Sequence, residues 1–202
     1  MDYHLHLFPM KNIFITLLLI VVGCLVSCKK SNQDKAPVEV AKTYYQSLDG
    51  SDLESLNNLL ADSVLSKELD YKVSFSKDGY MDLQRWDSVF HPAYTILEME
   101  EVDGKVKLKI SKACFRTLFL NGEPIITQET ISFTKGKISS VGIDEYVVFN
   151  WGRWDSVRGR LVDFINKNHP ELDGFLHDQT VEGALKYTEA IQLFKQNKEA
   201  RE

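Results

Sequence analysis

Between Tyr94 and Phe149 the chain trades a helical hydrophobic period for a two-residue one, and three turn signals divide this stretch. Asp103-Gly104, Asn121-Gly122 and Lys135-Gly136 separate alternating runs at 94–102, 105–120, 123–134 and 137–149. An Asp-Gly or Asn-Gly pair between alternating runs marks a hairpin. The spacing predicts an antiparallel meander whose long strands must twist and curl.

Helical patterns flank it. Pro37 opens one where its missing N–H costs nothing, and Val38, Ala41, Tyr44, Tyr45 and Leu48 share a face until Asp49-Gly50 stops it. Ser51 and Glu54 have the spacing of a capping box, so a second helix is expected with Leu53, Leu56, Leu59 and Leu60 inward, running to about Asp62. A third, over 78–90, carries Leu83, Trp86 and Phe90 and ends at His91-Pro92. Beyond the meander, 154–167 and 180–197 are amphipathic, with Asn168-His169-Pro170 between them. The fold class is therefore α+β: N-terminal helices on a strongly curved antiparallel sheet, with two extra C-terminal helices. The last strand is apolar on both parities, Val141, Ile143, Val147 and Phe149 against Ile138, Tyr146 and Val148, so both its faces call for cover. The segment 151–202 is expected to pack on the same domain, leaving a monomer or weak homodimer.

Composition narrows the function classes. The net charge of −5 gives no basic footprint for nucleic acid. Lys105, Lys107 and Lys109 alternate with Val106, Leu108 and Ile110, the pattern of a solvated strand face. His91, His169 and His177 lack metal-ligand spacing, and neither metal nor cofactor is expected.

The N-terminus reads as an address. Lys11, the short apolar run 13–22 and a small-residue region ending at Cys28 make a secretory signal. Leu25-Val26-Ser27-Cys28 resembles a lipobox, whose cysteine takes a lipid and becomes the new N-terminus. Val21-Val22-Gly23-Cys24 also fits, but Cys28 leaves a longer apolar run ahead and a polar segment behind. Met10-Lys11-Asn12 suits a signal start better than Met1. The expected division is a lipoprotein signal at 1–28, a tether at 29–36, one domain at 37–150 and the helical extension. Membrane attachment through lipid on Cys28 would place the protein in the envelope of a diderm bacterium. Lys29, not an acidic residue, follows the cysteine, the habit of outer-membrane lipoproteins. Only Cys114 then stays unmodified, so no internal disulfide can form, and it reads as a small core residue.

Residues 40–53, Val-Ala-Lys-Thr-Tyr-Tyr-Gln-Ser-Leu-Asp-Gly-Ser-Asp-Leu, followed by Leu59-Leu60-Ala61-Asp62-Ser63-Val64, are similar to the opening of the nuclear transport factor 2-like superfamily of cone-shaped α+β barrels. The resemblance covers about 38–148 and implies a cone with an interior cavity. That fold hosts isomerases, dehydratases, cyclases, binding modules and dimerisation scaffolds, so it leaves the activity open. Alignment with the family's ketosteroid isomerases implies Tyr44 as oxyanion donor, Glu68 as proton-moving base and Glu129 as late-strand acid, with Glu where those enzymes have Asp. The chemistry would be a phenol and a protonated acid holding an enolate while a carboxylate moves the proton.

Strand parity gives a second set. Two-residue turns at Asn121-Gly122 and Lys135-Gly136 would pair Arg116 with Thr127, Cys114 with Glu129, and Thr127 with Asp144. Arg116, Glu129 and Asp144 then join Val106, Leu108, Ile110, Ile125, Ile131 and Phe133 on one concave face, and a single bulge would reverse this beyond it. Such charges are either a self-satisfied ion pair or the polar groups of a ligand cavity. Arg116, Asp144, Trp86 and Tyr146 are the candidate ligand contacts. The favoured function is an anchored envelope lipoprotein that binds a small apolar ligand or a protein partner, with acid–base catalysis as the alternative.

Overall fold

The computed structural model describes residues 36–199; the signal, Cys28 and most of the tether lie outside them. Helix α1 (Pro37–Asp49) starts at Pro37 and buries Val40, Ala41, Tyr44, Tyr45, Ser47 and Leu48. Helix α2 (Leu53–Leu59) is capped by Asp52, whose carboxylate accepts the Ser55 N–H at 3.0 Å. The expected Ser51–Glu54 box is thereby corrected: Ser51 occupies a left-handed linking position, φ 51°. The helix also ends earlier than the sequence suggests. Leu60 already belongs to β1 (Leu60–Glu68), which forms a hairpin with β2 (Tyr71–Ser76). Helix α3 (Lys77–Ser88) follows, with Ser76 accepting the Gly79 N–H.

The meander is β3 (Ala93–Val102), β4 (Lys105–Ala113), β5 (Ile125–Thr134) and β6 (Lys137–Val148). Asp103-Gly104 and Lys135-Gly136 are tight turns with both residues at positive φ, which matches strand twist. Asn121-Gly122 is not a turn. The chain leaves the sheet after Ala113 and winds one short helix, α4 (Phe115–Asn121). Cys114 caps it, its Sγ accepting from the Thr117 N–H while the Thr117 hydroxyl accepts from the Cys114 N–H. Gly122, at φ 90°, closes its C-terminus with its N–H on the Leu118 carbonyl. The Asn-Gly signal that looked like a hairpin is a helix stop, because glycine serves either role through the same left-handed conformation.

The expected register is corrected accordingly. Leu108, Ile110 and Lys112 face Glu129, Thr127 and Ile125, and Arg116 lies on a helix, not a strand. Irregularities between β5 and β6 set Glu129 opposite Ile143 and Thr127 opposite Tyr146, displacing Asp144. The six strands run β2-β1-β6-β5-β4-β3. All neighbours are antiparallel except β1 and β6, which are parallel, so the sheet is mixed where wholly antiparallel pairing was expected.

Asn150 caps α5 (Trp151–Asn168) by accepting the Arg153 N–H at 3.0 Å. A single 3-10 turn (Pro170–Leu172) and α6 (Val181–Glu199) complete the described chain. Two apolar cores result. One lies between α1, α2, α3 and the sheet, around Leu56, Val64, Val106, Ile110, Ile131 and Ile138. The other gathers Trp86, Phe90, Cys114 and Leu120 with Val157, Leu161, Ile165, Tyr187 and Ile191. Helix α3 serves both, with Tyr80 and Met81 in the first and Trp86 in the second. The last two helices therefore pack on α3, α4 and each other rather than covering β6, where Val147 stays 42% exposed. Among the described residues no helix is long and apolar enough to cross a membrane.

Candidate functional site

On β4 the alternation that buries Val106, Leu108 and Ile110 continues to Lys112, so the same parity that builds the core points an ammonium inward. On β5 the inward parity runs Ile125, Thr127, Glu129, Ile131. An ammonium and a carboxyl thus enter the interior by the rule that fills the sheet's inner face with aliphatic groups. Helix α1 brings Tyr44 and Tyr45, β3 brings Tyr94, and α3 brings Trp86 and Asp87.

These groups form two hydrogen-bonded sets. Glu129 accepts the Tyr45 phenol at Oε2 and the Thr127 hydroxyl at Oε1, each at 2.6 Å. Burial pushes the Glu129 carboxyl up, against the pull of those two donors and of Lys112. Asp87 accepts the Lys112 ammonium at 2.7 Å and the Tyr94 phenol at 3.2 Å. Burial opposes its charge, but Lys112 prevails and holds Asp87 below the usual carboxylate range. Two interior carboxyls are thus displaced in opposite directions, because one has an ammonium on it and the other has only hydroxyls.

Arg116 is different. From α4 its guanidinium carbon lies 5.0 Å from the Trp86 ring centre, 5.4 Å from Phe90, 5.6 Å from Trp154 and 6.0 Å from Tyr187. This aromatic cage gives cation–π attraction and, through the Tyr187 hydroxyl, a neutral hydrogen-bond acceptor, but no counter-charge. No carboxylate of the described residues pairs with it. Its Nε and the Trp86 Nε1 are buried donors without a partner.

Two cavities flank these residues. One, of about 300 Å³, lies under α1 and α3 against Tyr44, Tyr45, Trp86, Asp87 and Tyr94. The other, of about 400 Å³, opens between the end of the sheet and α5, against Tyr146, Phe149, Trp151, Trp154 and Arg158. They share Glu68, Lys112, Arg116, Glu129 and Ile143 as walls.

The residues singled out from sequence fall as follows. Tyr44, Glu68, Glu129, Trp86 and Arg116 all line the first cavity. The Tyr44 hydroxyl, however, is 2.6 Å from that of Tyr80 in the core, and the phenol on Glu129 belongs to Tyr45. Tyr146 lines the second cavity and donates to Glu68 at 2.5 Å. Asp144 lines neither; it pairs with Lys67 at 2.9 Å and accepts from Thr130 on the exposed side of the sheet. Its expected inward position fails because the β5–β6 irregularity turns it out. Tyr45, Asp87, Tyr94, Lys112 and Thr127 were missed. Lys112 and Thr127 were legible by continuing the parity of Ile110 and Ile125; Tyr94 and Asp87 carried no signal. Among the described residues there is no group of three or more His, Cys, Asp or Glu side chains placed to hold a metal ion.

No protein-family model and no curated sequence matches the chain. Solved structures do. A protein from Kribbella flavida shares 13% identity, covering 62% of this chain and 95% of its own, with a TM-score of 0.50. The likeness is one of fold, α-helices packed on a curved six-stranded sheet. Also similar are a Kribbella flavida protein provisionally named a ketosteroid isomerase (14% identity, 54% of this chain, 76% of that one, TM-score 0.45) and a nuclear transport factor 2-like protein of unknown function from Cytophaga hutchinsonii (13%, 59% and 94%, TM-score 0.46). At these identities the likeness extends to the fold alone.

Proposed function

We propose that the cone is a binding chamber for a small, largely apolar ligand, carried at the outer membrane of a diderm bacterium by lipid on Cys28. The observation that carries this reading is the pair of adjoining cavities, of a size that small-molecule sites occupy and walled by Trp86, Trp151, Trp154, Tyr146 and Phe149. A neutral environment-sensitive dye such as N-phenyl-1-naphthylamine should bind saturably, and Ile143→Trp, which fills the shared wall, should abolish the signal. Dye binding unchanged in that variant would sink the chamber. For the anchor, Cys28→Ser should move the protein from the membrane to the soluble fraction. If Cys24→Ser does so instead, the lipid is on the other cysteine.

A second reading, acid–base catalysis of the isomerase or dehydratase kind, is favoured by Glu129, an interior carboxyl with a raised pKa beside a cavity that Tyr44 and Glu68 also line. Against it, the Tyr44 phenol is engaged by Tyr80, and Glu129 by Tyr45 and Thr127, so neither of the two groups expected to hold an oxyanion is free to donate to it. Conversion of a β,γ-unsaturated ketosteroid to its conjugated isomer, lost in Glu129→Gln, would replace the binding reading with this one.

A further inference from the structure

Among the described residues Arg116 is an interior charge with which no opposite charge pairs. Lys112 has Asp87, and Glu129 has Tyr45 and Thr127. A guanidinium inside a protein ordinarily faces a carboxylate, because its desolvation is costly and its fork fits two oxygens. Here four aromatic rings surround it, the Tyr187 hydroxyl is its neutral acceptor, and no carboxylate of the described residues pairs with it. The Trp86 residue is only 9% exposed, yet its Nε1–H is also unpartnered, as is the Arg116 Nε–H. Buried donors left unmatched are rare and call for a missing partner. Both residues line the first cavity, and Arg116 and Trp154 line the second.

We propose that Arg116 receives the carboxylate of a monoanionic organic acid whose apolar body lies along the aromatic wall formed by Phe149, Trp151 and Trp154. This rests on the ligand-binding reading above and names the ligand class. The valence follows from charge: one guanidinium is uncompensated, while Asp87 and Glu129 lie on the same cavity walls. A carboxylate balances that charge, whereas a phosphate dianion would overshoot it beside the carboxyls of Glu68, Asp87 and Glu129. The planar fork of guanidinium suits a carboxylate held by two parallel bonds. The rings that hold Arg116 keep it pre-oriented at no cost in rotamer freedom when the ligand arrives.

The chain's three tryptophans, Trp86, Trp151 and Trp154, all line the two cavities, so intrinsic fluorescence reads occupancy directly. The purified full chain is titrated with 4-phenylbutyrate, its uncharged amide and 4-phenylbutylphosphonate. The acid should bind about tenfold tighter than the amide, the margin of a charge-assisted fork. In Arg116→Gln the difference between acid and amide should vanish. Arg116→Lys, which keeps the charge and loses the fork, should keep part of that difference, and serves where the Gln variant melts early. Equal binding of acid and amide, or a preference that survives Arg116→Gln, overturns the anion receptor and leaves the guanidinium a structural plug. Tighter binding of the phosphonate overturns the monoanion. If the neutral naphthylamine dye binds while the acid shows no preference, only this inference fails; if dye, acid and amide all fail to bind, the chamber itself falls.

Discussion

The two cores are built on different principles. The one under the sheet is floored by strand aliphatics in alternation, and its polar edge is fully matched: Tyr45 to Glu129, Tyr44 to Tyr80, Lys112 to Asp87. The one made by α3 to α6 is helical and aromatic, with Phe90 edge-on to both Trp86 and Tyr187, and holds a cation with which no carboxylate of the described residues pairs. Hydrogen bonding fixes the first; ring packing shapes the second and leaves donors over. A chamber between them inherits one finished wall and one unfinished wall.

The largest effect should come from removing the second core outright. Truncation after Asn150 strips cover from Trp86, Phe90, Cys114 and Leu120. At about 25 cal/mol per Å² this exposes enough apolar surface to cost on the order of several kcal/mol. Loss of the cooperative melting transition is expected; a soluble domain melting as before would make the helical core a mere attachment. Next, Phe90→Ala and Ile131→Ala, one deletion per core at fully buried sites, should each cost about 2–5 kcal/mol. Because α3 belongs to both cores, both variants should lower one shared transition. Two transitions in calorimetry, each moved by only one variant, would show the cores to be independent.

Smaller and sharper effects lie at the seam. Lys112→Met strands Asp87, whose side chain is 10% exposed, and should cost about 3 kcal/mol at neutral pH. Asp87 is held low, so its contribution is present above the ordinary carboxylate range and lost as pH falls through its lowered value. The variant should lose that acid-side dependence. Glu129 has the opposite sign. Its folded pKa is raised, so its contribution is full below the unfolded value of about 4 and lost as pH rises through the folded one. Glu129→Gln keeps an acceptor for Tyr45 and removes that loss. Urea unfolding across pH should show the variant gaining on the parent as pH rises. Parallel stability curves would mean that Glu129 titrates alike folded and unfolded.

Much of this architecture could be read from the sequence. The helix at Pro37, the third helix with Trp86, which stops at Ser88 and so leaves Phe90 in the turn beyond it, the Asp-Gly and Lys-Gly turns and the two late helices all carry their own periodicity or caps. The hairpin β1–β2 could not be read so. Only Val64 and Leu60 are buried in β1, and no residue of β2 is, so alternation had almost nothing to display. The α4 helix was hidden because Cys114, Phe115, Leu118 and Leu120 read equally well at either period, and because glycine ends helices and hairpins alike. That one reassignment moved Arg116 from strand to helix. It thereby removed Arg116 from the ion pair that was one of the two expected readings and made it a caged cation on a cavity wall.

The parallel seam between β1 and β6 sets an order of events during synthesis. Lys67 and Asp144, which meet across it, are 77 residues apart. Helix α1 and the first hairpin emerge early, but the strand that seats them arrives only after β3, β4, α4 and β5 have been made. Antiparallel neighbours in the meander can zip locally; this pair must wait for a long loop to close. Until then β1 presents an open edge to any other strand it meets. Assembly of the sheet therefore finishes at its middle, with the oldest and the newest strands joining last.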